Sequence, residues 1–234
     1  MLFNLDSRRN NGEATKDYLY RVLKDKIMGL ELAPGSQLSE NDIVREFGIS
    51  RTPIREVLKK LENEKLVEII PQTGTRVSLI DKNLIDQVLF MRYTIEKEII
   101  KILQHCAGAE TLLELDNFIS AQEFFYFKGM LPKFQDSDNE FHQKLYALAQ
   151  KEFVWETIEG LSSHYNRIRL LRLMNGQQAD VGLIIREHRA ILDFIRDQEP
   201  PGRIEQILTN HILKPAELWT AQFDHPNFKQ YIKY

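Results

Sequence analysis

The order of helical and strand patterns in residues 15–80 constrains the fold more than any other feature of this chain. Three stretches carry apolar residues at helical spacing, and two short β-rich runs, residues 66–70 and 75–80, follow them. Pro71 and Gly74 separate the two runs, which is typical of a hairpin. Helix, helix, turn, helix and hairpin, in this order, predict a winged helix-turn-helix domain.

The second and third helices of this domain have recognisable start signals. Ser39 and Asp42 are spaced as in a capping box, and the helix that they open ends near Gly48. Thr52 is the predicted N-cap of the third helix, with Pro53 at the first helical position.

Two arginines lie one helical turn apart at the start of the third helix. Arg51 and Arg55 are on the face opposite its apolar stripe, and the first residues of this helix enter the major groove in a helix-turn-helix. Arginine can make two hydrogen bonds to guanine there. The alternative is that both arginines form solvated pairs with Glu46 or Glu56. The residues predicted to support the DNA contact at the phosphate backbone or the wing are Ser50, Thr52, Lys59 and Gly74.

Charge and cysteine content exclude several classes of protein. The net charge is −3, and residues 1–80 hold 13 Lys or Arg against 12 Asp or Glu, so any DNA surface is a small patch. Cys106 is the only cysteine, which excludes an internal disulfide and a multi-cysteine metal cluster, and we expect it to be buried in a helix. No apolar run reaches about 18 residues, and the polar start lacks a secretory signal. We therefore expect a cytoplasmic protein with no membrane partner.

Helical patterns follow one another from residue 81 to about residue 223, and no strand signal interrupts them. They amount to six or seven helices, which predicts an all-α bundle. The fold class is therefore mainly α: residues 1–80 form the winged helix-turn-helix DNA-binding domain, and residues 81–234 form an all-helical domain for effector binding and dimerisation. The breaks between helices are expected near Gly108, Gly129, Gln150, Gly176 and residues 199–202.

Three histidines and one carboxylate of the helical domain point into an apolar interior. Asp138 and His142 are four residues apart and share a helix face, and His188 and His211 each lie in an apolar stripe. A buried carboxylate is costly without a partner, and a metal ion would remove that cost. The alternative is a set of scattered core histidines satisfied by hydrogen bonds. Imidazole nitrogens with one carboxylate suit Zn, Ni or Mn.

Three arginines of the same domain are candidates to bind an anionic effector. Arg92 lies on an apolar helix face, where its alternative role is an i,i+4 pair with Glu96 on a partly exposed face. Arg169 and Arg172, three residues apart, could clamp an anion or could be solvated. A metal ion with room for a further ligand would accept a carboxylate, so a small organic acid is the predicted effector.

The stretch "LSENDIVREFGISRTPIREVLKKLENEKLVEIIPQTGTRV" closely resembles the DNA-binding domain of GntR-family bacterial transcription regulators. The resemblance covers residues 14–78 and implies that Arg51, Arg55 and Gly74 contact DNA. The chain departs from the family pattern at two positions. Asn41 stands where some members carry a DNA-contacting arginine, and Lys65 replaces a glycine before the first wing strand.

The stretches "DNEFH", "REHRAIL" and "NHI" resemble the helical ligand-binding domain of the FadR-type GntR subfamily, called the FCD domain. The resemblance implies that Asp138, His142, His188 and His211 hold a divalent metal ion. It also implies a small organic acid as the effector.

These features predict a dimeric transcription regulator, by default a repressor released by its effector. One winged helix reads one half-site, so an operator with two-fold related half-sites requires a homodimer. The competing function is a metal-dependent hydrolase that uses the same Asp/His site to activate water. Glu140 and Glu187 neighbour the ligands, but a step of about 100° per residue turns each away from the ligand face. We therefore predict that the chain is not an enzyme.

Overall fold

The structure, a computed structural model, describes residues 9–174, 179–197, 199–200, 202–215 and 226–234. Contacts between Cα atoms divide it into two compact units, each described by itself below. One unit is Met1–Lys82 with Ser163–Ile168 and Pro226–Tyr234, and the other is Asn83–Ser162 with Arg169–His225. Two short segments that the sequence analysis placed in the second domain therefore group with the first.

The first unit contains a three-stranded antiparallel sheet in the order β1-β3-β2. β2 and β3 form the predicted hairpin, which confirms the winged helix-turn-helix. β1 was not predicted, because a two-residue strand has no periodicity to detect. The elements are α1 (Thr15–Met28), β1 (Gln37–Leu38), α2 (Glu40–Phe47), α3 (Arg51–Asn63), β2 (Val67–Ile70), β3 (Gly74–Val77) and β4 (Ile80–Asp81).

The helix ends show why the chain turns where it does. Ser39 Oγ accepts a hydrogen bond from the Asp42 N–H at 3.3 Å, as predicted, and Gly48 ends α2 in the left-handed conformation with φ of 66°. The predicted N-cap at Thr52 is wrong: α3 begins at Arg51, and its N-cap is Ser50. Proline is tolerated throughout the first helical turn, so Pro53 did not fix the start of α3.

The core of this unit is formed by the apolar stripes of the three helices and the inner face of the hairpin. Its residues are largely inaccessible to solvent, and burial of this kind is the main stabilising contribution to folding. The members are Leu19, Leu23, Ile27, Leu32, Leu38, Ile43, Ile54, Val57, Leu58, Leu61, Leu66, Val67 and Val77.

The base of the hairpin is held by the first turn of helix α8 (Ser163–Met174). His164 Nδ1 accepts a hydrogen bond from the Asp81 N–H at 2.9 Å, and its Nε2 lies 3.0 Å from the Lys65 carbonyl oxygen. The buried Arg167 donates to the carbonyl and the hydroxyl of Ser78 at 3.0 and 3.1 Å. His164, to which the sequence analysis gave no role, is therefore part of the hairpin support.

The second unit is helical, as predicted. Besides part of α8, its elements are α4 (Lys82–Cys106), α5 (Ala109–Phe127), α6 (Leu131–Leu148), α7 (Glu152–Leu161), α9 (Ala179–Asp197), α10 (Gly202–Leu208) and a π-helical turn (Thr209–Leu213). The last two elements of the chain, α11 (Pro226–Lys229) and β5 (Ile232–Lys233), belong to the first unit.

Three sequence expectations about this part of the chain were wrong or fall outside the structure. A strand does follow residue 81: β5 pairs in parallel with β4 in the first unit, and two residues are again too few to show a pattern. Cys106 is exposed, because it lies in the last turn of α4 and outside its apolar face. The break near Gly176 lies outside the described residues. Among the helices of the described ranges, none is long and apolar enough to cross a membrane.

Candidate DNA interface and candidate metal centre

The two arginines at the start of α3 are exposed and are oriented by the first turn of α2. An Arg51 guanidinium nitrogen donates to Asn41 Oδ1 at 2.9 Å. Arg55 Nε donates to both carboxylate oxygens of Glu40 at 3.2 Å. These partners differ from Glu46 and Glu56, which the sequence suggested. Both arginines therefore lie on the exposed surface that α2 and α3 share.

A groove of about 440 Å³ lies between Arg51 and the tip of the hairpin. Gly74 at the tip has a φ of 121°, which L side chains rarely adopt. Ser50, Thr52 and Lys59 are exposed along the same helix, and Lys59 donates to Glu62 at 2.6 Å. The residues that line the groove are Gln37, Leu38, Ser39, Glu40, Asn41, Arg51, Thr73, Gly74 and Thr75.

Three histidines from three helical segments meet in the interior of the second unit. His142 lies on α6, His188 on α9 and His211 in the π-helical turn, and all three are buried. His211 Nε2 lies 3.2 Å from His188 Nε2 and 3.1 Å from His142 Nε2. These three nitrogen atoms form a group that could hold a metal ion.

The other ring nitrogen of each histidine faces an acceptor. The Gln122 amide nitrogen donates to the Ser137 carbonyl, which turns the Gln122 oxygen towards His188. A hydrogen on each Nδ1 would match these oxygens and would leave a lone pair on each Nε2. The Nδ1 to oxygen distances are 2.8 Å for His142 and Glu96, 2.7 Å for His188 and Gln122, and 3.0 Å for His211 and Glu187.

Burial keeps two of these rings neutral at neutral pH. Desolvation lowers the pKa of His142 to about 4, although the nearby Glu96 carboxylate favours the charged ring. Desolvation and the neighbouring His211 lower the pKa of His188 well below its usual value. Three lone pairs directed at one another repel without a cation between them, so this donor set fits a divalent metal ion.

Asp138, the predicted fourth ligand, lies at the edge of the cluster. One of its carboxylate oxygens is 3.6 Å from His188 Nε2, and the other accepts a short hydrogen bond from Arg169. Arg169 also donates to Asn139 at 2.9 Å. Burial alone would raise the pKa of Asp138, but Arg169 and the histidines outweigh it and lower that pKa. The carboxylate is therefore ionised and shared between the cluster and Arg169.

The other two predicted effector residues are also buried. Arg92 Nε donates to Glu96 at 2.7 Å, so the i,i+4 pair exists, but in the interior and not on a partly exposed face. Burial alone would raise the pKa of Glu96, but Arg92 and His142 outweigh it and lower that pKa to about 2. Arg169 and Arg172 are each 8% exposed, so the solvated alternative is wrong for both.

Sequence reasoning missed the acceptors around the histidines. Glu187 was placed away from the ligand face, yet it is buried against His211. The step of about 100° does turn Glu187 away from the side of α9 that carries His188, but it turns it towards the π-helical turn. Gln122, a polar residue in the buried stripe of Leu115 and Ile119, was a signal that could have been noticed.

Comparison with known families decides what these two sites belong to. Residues 15–77 match the family described as bacterial regulatory proteins, gntR family, and residues 87–214 match the FCD domain. The chain belongs to the GntR family. This GntR-family protein is a bacterial transcription regulator with an FCD domain, and it is not an enzyme.

Individual relatives agree with this assignment. A transcriptional regulator of the HTH type from an unstable DNA locus of Streptomyces ambofaciens is 31% identical over 82% of this chain and 80% of its own length. The repressor RspR of Escherichia coli K12 is 25% identical over 91% and 92% of the two chains. The solved structure of E. coli McbR/YncC has the same fold, with a TM-score of 0.71 at 17% identity over 91% of this chain and all of that one.

Proposed function

We propose that this GntR-family protein is a dimeric repressor that binds its operator through α3 and the hairpin. Its helical domain holds a divalent metal ion and a small organic acid, and the acid weakens operator binding. The convergence of His142, His188 and His211 is the observation that carries the proposal. Zn, Ni and Mn all suit imidazole nitrogens with a carboxylate.

The acceptors around the histidines support the metal in particular. Here each Nδ1 faces a side-chain oxygen, so each Nε2 is left as a donor atom for a cation. The ion would be held by the three histidines, with Asp138 beside them, and would supply positive charge in the buried interior.

The formal charges near the cluster favour an anionic effector. Asp138, Glu96 and Glu187 are negative, and Arg92 and Arg169 are positive. A divalent ion brings this set to a net charge of plus one, which a single carboxylate would neutralise. Arg169 would orient that carboxylate, and its proximity supports this role, because its present partner Asp138 lies next to the histidines.

The DNA role rests on the exposed arginine pair. Arg51 and Arg55 lie at the N-terminal end of the recognition helix, with Gly74 across the groove. Ser50, Thr52 and Lys59 are proposed to contact phosphates. Repression is supported by the relative RspR, which is named a repressor. An effector changes operator affinity only through its different affinity for two arrangements of the dimer, typically about 1 to 3 kcal/mol.

Two experiments test the metal centre. One is elemental analysis of protein purified without added metal, and the other is thermal melting with a panel of small organic acids, with and without chelator. About one metal ion per chain and a stabilisation by one acid that chelator abolishes are expected. His142→Ala combined with His188→Ala should lose the metal, whereas His105→Ala, at an exposed position of α4, should keep it.

The DNA-binding part of the experiment uses duplexes that the wild-type protein selects from a randomised library. The acid identified by melting should lower affinity for the selected duplex in the wild type but not in the double histidine variant. Metal retained in the double variant would show that the ligand set is wrong. An acid that tightened operator binding would show that the proposed sign of regulation is wrong.

A further inference from the structure

Helix α5 carries large apolar residues on its exposed side as well as on its buried side. Leu115 and Ile119 are fully buried against the rest of the second unit. Leu113, Phe124 and Phe127 lie on the other side and are 62%, 53% and 85% exposed. Large apolar side chains that lie close together on a surface mark a site of interaction with a partner. The exposed side of α5 is therefore a candidate contact surface for another protein chain.

The exposed residues form one continuous stripe. With about 100° of rotation per residue, five outward positions fall within about 80° of one another, opposite Leu115. The stripe spans about 21 Å of helix, since it extends over 14 residues at about 1.5 Å each. These five positions are Leu113, Asn117, Ser120, Phe124 and Phe127.

The two ends of the stripe are equally far from its centre. Leu113 and Phe127 are each seven residues from Ser120, so the two large apolar ends flank a small residue. A two-fold axis reverses the direction of the second helix, so the N-terminal end of α5 in one copy lies against the C-terminal end in the other. An antiparallel pair centred on Ser120 would then pack Leu113 of each copy against Phe127 of the partner copy.

The charges on one flank fit the same arrangement. Glu110 and Lys128 are 18 residues apart, which is five full turns, so both lie on the same side of the stripe at opposite ends. In an antiparallel pair this flank faces itself. Glu110 of one copy would meet Lys128 of the other, twice in each dimer.

We propose that the outward stripe of α5 is the surface through which two copies of this chain dimerise, antiparallel and with Ser120 at the two-fold axis. The inference rests on the proposed dimer and names its contact surface. A second copy is favoured over an unrelated partner, because both the apolar stripe and the charges on its flank are complementary to themselves under two-fold rotation.

Sedimentation analysis of the full chain with Phe124→Asp tests the surface. This substitution places two charges in the interface of each dimer, and we expect the dimer dissociation constant to rise at least about 30-fold. Phe153→Asp is the matched control, because Phe153 is 79% exposed but lies on α7. The control should leave the dissociation constant unchanged, and circular dichroism should show that both variants are folded.

Charge reversal tests the antiparallel pairing. Glu110→Lys and Lys128→Glu alone should each weaken the dimer about 3- to 10-fold, and the two together should restore it. Ser120→Cys, in a background with Cys106→Ser, should form a disulfide between two copies under mild oxidation. Asn117→Cys is off the axis and should crosslink less.

The outcomes distinguish failure of the proposed dimer from failure of the α5 surface or of its antiparallel register. A wild type that is monomeric at all concentrations and with metal bound would overturn the proposed dimer itself. A wild-type dimer that Phe124→Asp leaves intact would overturn only the α5 surface. A dimer that Phe124→Asp breaks, but that the double charge reversal fails to restore, would overturn the antiparallel register.

Discussion

Replacing Glu187 with alanine tests the metal centre at a residue that need not touch the ion. Glu187 Oε2 lies 3.0 Å from His211 Nδ1, and both side chains are buried. Without this acceptor the ring can turn or change its tautomer, so Nε2 is no longer held towards the other two histidines. Loss of an outer hydrogen bond of this kind typically lowers metal affinity about 10- to 100-fold, or about 1.4 to 2.7 kcal/mol.

The assay is a competition titration of Zn²⁺ against a chromogenic chelator, with melting in the presence and absence of Zn²⁺. Stabilisation by a ligand follows its concentration relative to its Kd, so the stabilisation by Zn²⁺ at a fixed excess should fall by the same amount as the affinity. Glu140→Ala is the control, because Glu140 lies on α6 between Asp138 and His142 but is exposed. It should bind Zn²⁺ like the wild type.

Unchanged Zn²⁺ affinity in Glu187→Ala would refute the argument that Glu187 orients His211. A wild type without measurable Zn²⁺, Ni²⁺ or Mn²⁺ affinity would instead refute the metal proposal. If Glu187→Ala lowers the melting temperature by the same amount with and without Zn²⁺, Glu187 contributes to packing alone.

Three further predictions concern the first unit. Arg51→Ala and Arg55→Ala should each cost about 1 to 3 kcal/mol of specific binding free energy and relax the base preference, whereas Lys59→Ala should lower the affinity for all duplexes alike. Unchanged affinity for the selected duplex in both arginine variants would contradict the base contacts. Arg167→Ala should lower the free energy of unfolding in urea by about 2 to 4 kcal/mol, because the Ser78 oxygens lose their donor in the core; a loss below 0.5 kcal/mol would exclude that role. Burial and Arg167 lower the pKa of His164 to about 3. On acidification the unfolded chain therefore binds a proton near pH 6.5 that the folded chain does not bind. The free energy of unfolding consequently falls as the pH drops below that value. Between pH 7 and pH 5 the wild type should therefore lose about 2 kcal/mol more than His164→Gln, and equal losses would show that His164 is not neutral when folded.

The parts of the fold that could be predicted are those encoded over a few neighbouring residues. Ser39 and Gly48 mark the ends of α2 by capping chemistry, and Pro71 and Gly74 mark the hairpin. β1, β4 and β5 could not be predicted, because two-residue strands exist only through partners far along the chain. The support of the hairpin by His164 depends in the same way on a partner about 80 residues away.

For the candidate metal centre, too, only the features encoded locally in the sequence could be predicted. Apolar stripes around His188 and His211 indicated that these rings point inwards, and the structure brings both together with His142. Their acceptors could not be inferred, because an acceptor for Nδ1 comes from a neighbouring helix whose rotation the sequence does not give. Arg169 shows the same limit: its spacing from Arg172 suggested an anion clamp, and its position beside Asp138 depends on how α8 packs against α6.

If Arg51 and Arg55 contact DNA as proposed, the first turn of α2 decides how they are held before DNA binds. The pair of Arg55 and Glu40 is exposed, and such pairs contribute about 0 to 1 kcal/mol, whereas two hydrogen bonds to guanine discriminate by about 1 to 3 kcal/mol. DNA can therefore take Arg55 from Glu40 at a base that accepts both bonds, while a phosphate contact alone must compete with the carboxylate. Asn41 holds Arg51 through a neutral oxygen, in a position where some family members carry a further arginine. It therefore orients the guanidinium without neutralising its charge. The first turn of α2 thus positions both arginines while adding no positive charge of its own to the proposed DNA surface.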